Sequence, residues 1–278
     1  MFVAVQSDDE AGDACQGEAE SNLFRSNVER HKKLVRISEE ETFTTLSRAR
    51  VHHGPERCAL DFAPVFKDRV EAGEKLAGHI AKRVHGADLL VLGLPRGGVP
   101  VAFEVARALR AELDVYLVRK LGLPGHEELA VGAVADGGVR VLNDALLREL
   151  RLSPQLIARI AGREERELER RHALYRKDRP ALRIGGRTVV LVDDGLATGA
   201  SMKAAAQALR VQDPRRIIAA VPVGAAETCS ELLADVDEMV CLFTPRPFFS
   251  VSAWYEQFSQ TTDEEVQRLL DEAARQNK

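Results

Sequence analysis

Short, unbroken apolar runs recur along this chain, each followed by a stretch with helical periodicity, and they restrict the fold more than any other feature. Leu89-Leu90-Val91-Leu92 ends at Gly93, Val189-Val190-Leu191-Val192 ends at Asp193, and Ile217–Val223 follows. A strand without polar alternation is buried on both faces, the condition of a parallel strand between two helical layers. Val99–Leu109 places Val101, Val105 and Leu109 on one helical face before the next strand, at Val115–Val118. Strand, helix and strand in this order form a βαβ unit with a right-handed crossover. The expected fold class is therefore α/β: an open, mostly parallel twisted sheet with flanking helices.

The rest of the chain adds to this frame. Residues 61–278 form the expected domain. Asp68–Arg83 carries Val70, Leu76 and Ile80 between charged residues and predicts an amphipathic helix. Leu129–Val134 and Val139–Leu142 predict a hairpin across Asp136-Gly137-Gly138. Residues 143–180 form a long helical insertion, with Pro154 in the first turn of its second helix and Ser153 as cap. Ala226–Leu233 predicts a helix, Glu238–Leu242 a last strand, and Thr262–Arg275 a terminal helix. Between these, residues 244–260 are aromatic and bear prolines, and predict a small C-terminal hood.

Residues 1–60 differ. The first twenty hold six acids and no Lys or Arg, and Ser21–Arg57 is polar and mixed in charge. Too few periodic apolar residues are present to offset the entropy of ordering, so a largely disordered polar extension is expected.

Composition excludes several functions. The net charge of −4 argues against nucleic acid as a partner. No apolar run reaches the roughly 20 residues that span a bilayer, so no membrane association is expected. The N-terminus lacks the basic and apolar regions of a secretory signal, and the cytoplasm is the expected location. Cys15, Cys58, Cys229 and Cys241 contain no Cys-x-x-Cys pair; Cys229 and Cys241 fit a buried apolar role.

The chemistry concentrates at Val192-Asp193-Asp194-Gly195-Leu196-Ala197-Thr198-Gly199-Ala200-Ser201. A buried strand delivers two carboxylates to the carboxyl edge of the sheet, where open α/β folds bind ligands. A turn of small residues follows, and then a helix begins. Its unpaired N–H groups and positive dipole end suit a phosphate, with Thr198 and Ser201 hydroxyls as further donors. The acids suit hydroxyl groups instead. A sugar with vicinal hydroxyls and a terminal phosphate satisfies both halves. A Walker-type loop is excluded, since it needs Lys where Ala200 stands. A second anion loop follows the first strand, where Gly97 and Gly98 free the backbone to approach an anion and Arg96 adds a cation.

The segment Asp193–Ser201 resembles the 5-phosphoribosyl 1-diphosphate (PRPP) binding motif of type I phosphoribosyltransferases. Gly93-Leu94-Pro95-Arg96-Gly97-Gly98-Val99 resembles their pyrophosphate loop, and Arg119-Lys120 matches a basic position at the next strand end. More narrowly, Phe66–Glu265 is similar to a bacterial group of phosphoribosyltransferases defined from sequence alone.

The resemblance implies transfer of a phosphoribosyl group from PRPP to a nitrogenous acceptor, with release of pyrophosphate and a place in nucleotide metabolism. Asp193 and Asp194 would be the catalytic acids, holding the ribose hydroxyls and touching Mg2+ directly or through water. Ala197, Thr198, Gly199, Ala200 and Ser201 would bind the 5′-phosphate. Arg96, Gly97, Gly98, Arg119 and Lys120 would bind pyrophosphate. A loop between the early strands closes over such sites. Here Leu121–Gly138 and the insertion occupy that interval, with Arg170, Arg171, Tyr175 and Arg176 as candidates to reach in and His126 as a candidate base. Phe248, Phe249, Trp254 and Tyr255 offer stacking faces for the acceptor. Members of the family often dimerise, which places a homodimer among the expected states. Two other readings use the same fold: a PRPP- or nucleotide-binding regulatory module, and a hydrolase of ribosyl phosphates.

Overall fold

The computed structural model describes residues 64–84, 88–176 and 179–276. The polar extension over residues 1–60, with Cys15 and Cys58, lies outside the described residues.

Five parallel strands form the central sheet in the order β2-β1-β6-β7-β8. They are β1 (Leu89–Gly93), β2 (Glu112–Val115), β6 (Thr188–Val192), β7 (Arg216–Val223) and β8 (Glu238–Phe243). β1 and β6 lie side by side in register, Leu89 opposite Thr188 and Gly93 opposite Val192. The two loops expected to bind anions therefore leave adjacent strands at the same edge.

Helices cover both faces. On one face lie α1 (Arg69–Ala81), α2 (Gly98–Leu109) and α7 (Asp263–Gln276). Leu76, Ile80, Val101, Val105, Val266 and Leu270 bury there against Val91, Val190 and Ile218, each fully excluded from solvent. Burial of one such side chain stabilises by about 1.5–3 kcal/mol. Val70, expected on the apolar face of α1, is 46% exposed; Ala72, Gly73 and Ala77 bury instead, because α1 lies so close to α2 that a Cβ on Gly73 would stand 2.8 Å from Cβ of Glu104. The other face carries α5 (Ala200–Arg210) and α6 (Ala226–Leu232), with Met202, Leu209, Cys229 and Leu232 in its core. Cys229 is buried and Cys241 partly buried; both thiols are free.

The expected strand Val115–Val118 is divided between two sheets. β2 stops at Val115, and β3 (Val118–Leu123) starts a three-stranded antiparallel sheet with β4 (His126–Ala135) and β5 (Val139–Leu142). The chain changes partners at Tyr116-Leu117. Tyr116 still donates its N–H to Gly93, while Leu117 exchanges N–H and C=O with Asp136 in the β4–β5 turn. The β4–β5 hairpin lies where expected, with Gly137 and Gly138 at positive φ. The helical insertion, α3 (Asp144–Glu149) and α4 (Pro154–Arg176), packs Ile157, Ile160 and Ala161 on Leu121, Val131 and Val134 of this second sheet. Ser153 Oγ accepts the Leu156 N–H at 3.2 Å, capping α4.

The hood contains a contribution from outside residues 244–260. Phe66 pairs with Tyr255 in a parallel bridge, and Trp254 C=O accepts from both Val65 and Phe66. Phe66, Trp254 and Tyr255 form the centre of its apolar cluster. No described helix is long and apolar enough to cross a membrane.

Candidate active site

The turn after β6 is an open array of donors. Among the described residues, the N–H groups of Ala197, Thr198, Gly199, Ala200, Ser201 and Met202 find no acceptor; the helical ladder of α5 begins with Lys203 donating to Gly199 at 2.8 Å. Ala197, Thr198 and Ser201 are exposed. Gly199 has φ +68°, and a Cβ there would meet Thr228 Cγ2 at 2.6 Å, so both conformation and space require glycine. Thr228 Oγ1 in turn donates to Ala197 C=O at 2.8 Å and fixes the turn from α6.

Gly195 and Leu196 separate the two acids from this array. Asp193 Oδ1 accepts the Asp194 N–H at 2.9 Å. Asp194 Oδ2 accepts from Arg69 Nε at 2.8 Å, and its backbone C=O accepts the Tyr255 hydroxyl at 2.6 Å. Burial and the neighbouring Asp194 push the Asp193 carboxyl well above the ordinary range. Asp194 is raised too, through burial, against the opposing pull of Arg69. A pair held in this state gains from any cation or hydroxyl donor that reaches it.

The loop after β1 presses on these acids. A Cβ on Gly97 would lie 2.0 Å from Asp194 Oδ2, and one on Gly98 would lie 2.7 Å from the Val192 carbonyl oxygen. The Pro95–Arg96 peptide is cis. The N–H groups of Arg96 and Gly97 have no acceptor among the described residues, but Gly98 N–H donates to Leu94 C=O at 3.0 Å. The expectation that both glycine amides serve an anion is corrected on this point. Gly98 provides close packing, because its amide is spent on the first turn of α2.

Two cavities flank the acid pair. One, of about 160 Å³, is lined by Pro95, Arg119, Arg171, Asp193 and Ser201 among others. The other, of about 320 Å³, is lined by Arg69, Arg96, Gly97, Asp194, Phe258, Gln260 and Thr261. The basic residues thus divide. Arg119 lies on the Asp193 side, paired through its Nη2 with Glu164 of α4 at 2.7 Å. Lys120, the next residue on β3, lines neither cavity. Arg96 turns to the Asp194 side, 3.7 Å from Asp263.

Of the four insertion residues expected to reach inward, Arg171 alone lines either of these two cavities. Arg170 is exposed and pairs with Glu167. The Tyr175 hydroxyl donates to Asp263. Arg176 is buried against Asp114, at 3.1 and 3.2 Å, and Pro180 C=O at 2.7 Å. His126 sits exposed at the tip of the β3–β4 hairpin, away from both cavities.

The aromatic expectation is also corrected. Trp254 is 3% exposed and meets Phe243 edge-on at 5.2 Å, while Tyr255 is 5% exposed and packs on Phe66 and Phe258. Phe248 joins the same cluster and Phe249 is 65% exposed; neither lines a cavity. Trp254, Tyr255 and Phe248 build the hood, and the exposed Phe249 ring lies outside both cavities. Phe258 lines the Asp194-side cavity, with the Arg69 guanidinium 3.9 Å over its ring. Arg69 follows the helix cap Asp68, and nothing in local sequence distinguishes it from a solvated charge.

Residues 68–254 match the family model described as a phosphoribosyl transferase domain. A protein of Mycobacterium tuberculosis (strain H37Rv), provisionally named a phosphoribosyl transferase, is 46% identical over 211 residues, 76% of this chain and 47% of the relative. This chain therefore spans about half the length of that curated relative. Ribose-phosphate pyrophosphokinase of Methanopyrus kandleri is 29% identical over 197 residues, 69% of this chain and 51% of that protein. The crystal structure of TT1426 from Thermus thermophilus is 47% identical with a TM-score of 0.70, covering 74% of this chain and 98% of TT1426. With two glycine-bearing loops and an acid pair on one sheet edge, and a family model that matches most of the described residues, the chain belongs to the phosphoribosyl transferase domain family.

Proposed function

We propose that this domain transfers the phosphoribosyl group of PRPP to a nitrogenous acceptor and releases pyrophosphate. The observation that carries this reading is the six-residue run of unpaired N–H groups, Ala197 to Met202, that begins three residues after Asp194. A phosphate on that run places the attached pentose over Asp193 and Asp194, whose oxygens accept its vicinal hydroxyls. Ser201 and Asp193 line one cavity with Arg119 and Arg171, so the diphosphate finds two guanidiniums within reach of the same pentose.

Cleavage of the bond from the anomeric carbon to the diphosphate leaves positive charge on the sugar and negative charge on the leaving group. Asp193 and Asp194 stabilise the first, while Arg119, Arg171 and the Arg96 and Gly97 amides stabilise the second. The acceptor nitrogen attacks from the opposite face, with inversion.

The acid pair fits Mg2+. No cluster of three or more His, Cys, Asp or Glu ligands is present among the described residues, and this ion takes one or two carboxylates with substrate phosphates and water. Asp193 and Asp194 would hold it, directly or through water. When bound, it supplies charge neutralisation to the diphosphate.

The test is pyrophosphate release from PRPP and Mg2+ with a panel of nitrogen heterocycles and amines. Acceptor-dependent release is expected. Release without acceptor would identify a hydrolase, and tight PRPP binding with no turnover a regulatory module. Asp193→Asn with Asp194→Asn is expected to weaken PRPP binding at least tenfold; unchanged affinity would remove the acids from the site.

A further inference from the structure

Cys229 and Cys241 close over one glycine, Gly224, beside the turn after β6. We infer that they are an oxidation-sensitive pair, and that closing it to a disulfide with hydrogen peroxide loosens the Ala197–Met202 turn. The effect on PRPP rests on the reading given above; the chemistry of the pair does not.

Position comes first. A Cβ on Gly224 would stand 2.9 Å from Cys229 Sγ and 3.4 Å from Cys241 Sγ, so both sulfurs reach one point between α6 and β8. Both thiols are free. Cys241 lies on β8 opposite Val221 of β7, and Cys229 lies in the first turn of α6, its N–H donating to Ala225 C=O at 3.0 Å. The two differ in chemical state. Cys241 donates to Phe243 C=O at 3.3 Å, which keeps the proton on its sulfur. The Cys241 thiol beside it lowers the Cys229 thiol from its ordinary value, against the effect of burial. Cys229 is therefore the thiol that ionises and Cys241 the one that resolves.

The step balances with peroxide as the oxidant. The Cys229 thiolate attacks one peroxide oxygen, the O–O bond breaks, and a sulfenic acid forms as hydroxide leaves. Cys241 sulfur then attacks the Cys229 sulfur, the S–O bond breaks, and water leaves. Two thiols lose two electrons to one peroxide, and two waters form once the protons are counted.

The link to the turn is short. Leu196, the residue before the turn, forms a bridge with Gly224, and Ala225 N–H donates to Leu196 C=O at 2.9 Å. Thr228, the neighbour of Cys229, donates its hydroxyl to Ala197 C=O at 2.8 Å. Bonded sulfurs stand about 2.05 Å apart, so the free pair has to draw together. β8 is held in register along β7, whereas α6 is a helix of seven residues, so α6 is the element that yields. A displacement of about 1 Å carries Thr228 out of hydrogen-bond range of Ala197.

The experiment uses the full chain with Cys15→Ser and Cys58→Ser, reduced or treated with hydrogen peroxide. Peptide mapping by mass spectrometry is expected to show a Cys229–Cys241 disulfide that dithiothreitol removes. Hydrogen exchange should quicken on oxidation at Ala225 and Lys203, whose N–H groups donate to Leu196 and Gly199. Calorimetry with Mg2+ should show PRPP affinity about tenfold or more lower in the oxidised form, restored by reduction. Cys229→Ala and Cys241→Ala should keep their PRPP affinity under peroxide, and Thr228→Val should show the weakened binding without oxidation. No disulfide, a disulfide with unchanged exchange or unchanged affinity, the same peroxide loss in either alanine variant, or full affinity in Thr228→Val overturns the inference. Absence of PRPP binding to the reduced protein sinks the proposed function alone, and the peptide map and hydrogen exchange then decide this inference.

Discussion

Arg69 Nε lies 2.8 Å from Asp194 Oδ2, joining the first turn of α1 to the end of β6 across 125 residues of sequence. The ion pair is mostly buried, at 11% and 16% side-chain exposure, and Phe258 backs the guanidinium. Arg69 therefore opposes the burial that raises both acids and the repulsion from Asp194 that raises Asp193 further. Arg69→Gln removes that opposition. Both carboxyls then rise further, and the acidic limb of the pH dependence of kcat/KM moves to higher pH. A loss of about tenfold or more in kcat/KM at neutral pH accompanies that move. A uniform loss with an unmoved limb would assign Arg69 a purely structural role.

Gly97 and Gly98 are predicted to fail differently. A Cβ at Gly97 collides with the end of a side chain, Asp194 Oδ2, whereas one at Gly98 collides with the backbone of Val192 and Asp193. Gly97→Ala should fold with near-normal Tm and lose PRPP affinity, because the carboxylate has to swing aside. Gly98→Ala should lower stability by about 1–3 kcal/mol, because strand β6 itself must move. Chemical denaturation and calorimetric titration of the two variants separate these effects; equal Tm losses would contradict the distinction.

The fold was legible where local sequence and tertiary burial agree. The apolar runs at 89–92, 189–192 and 217–223 are strands because both their faces are covered, and no polar alternation competes with that reading. Val115–Val118 misled because four apolar residues in a row carry no sign of the partner change at Tyr116-Leu117, which depends on Asp136, 19 residues later. At the candidate site, the adjacency of the glycine loop after β1 and the acid-bearing turn after β6 was legible, since each follows an apolar run of a parallel sheet. Arg69, Phe258 and Thr261 were not. Each reaches the site through the fold of α1 or through the end of the hood and the chain just after it, and separation along the sequence conceals that convergence. The aromatics of 248–255 were legible as a hood but not as its interior: a ring beside a proline looks the same whether it faces a ligand or Phe66.

The insertion is anchored to the core by a buried charge pair, and this gives a stability prediction. Arg176, the last residue of α4, is 3% exposed and donates to both oxygens of Asp114 on β2. Removal of one partner leaves an uncompensated charge in the interior. Arg176→Met alone should cost about 3–5 kcal/mol, while Arg176→Met with Asp114→Leu should recover much of that loss. Urea unfolding of the single and double variants measures the coupling. Additive losses would show that the pair does not act as a unit.

Asp136 gives a pH dependence of opposite sign to that of an ordinary surface carboxylate. Its side chain is 3% exposed; Oδ2 accepts the Leu117 N–H at 3.1 Å, while Oδ1 has no partner. Burial raises its carboxyl to about 6, against the lowering effects of the Leu117 N–H, Arg176 and His172, with Asp114 and Tyr116 also facing it. The unfolded chain ionises this group near the ordinary value of 3.8. Between about pH 4 and pH 6 the native state holds a proton that the unfolded state has released, so stability falls as pH rises through that window. Above it the penalty is complete, at most about 3 kcal/mol. Asp136→Asn keeps an oxygen for the Leu117 N–H and cannot ionise. The wild type minus variant difference in unfolding free energy should therefore be larger at pH 4 than at pH 7, by up to about 3 kcal/mol. Denaturant titrations of both proteins across that range provide the test. A difference that stays constant, or grows with pH, would mean that Asp136 is ionised in the native turn and that Leu117 is held by a charged partner.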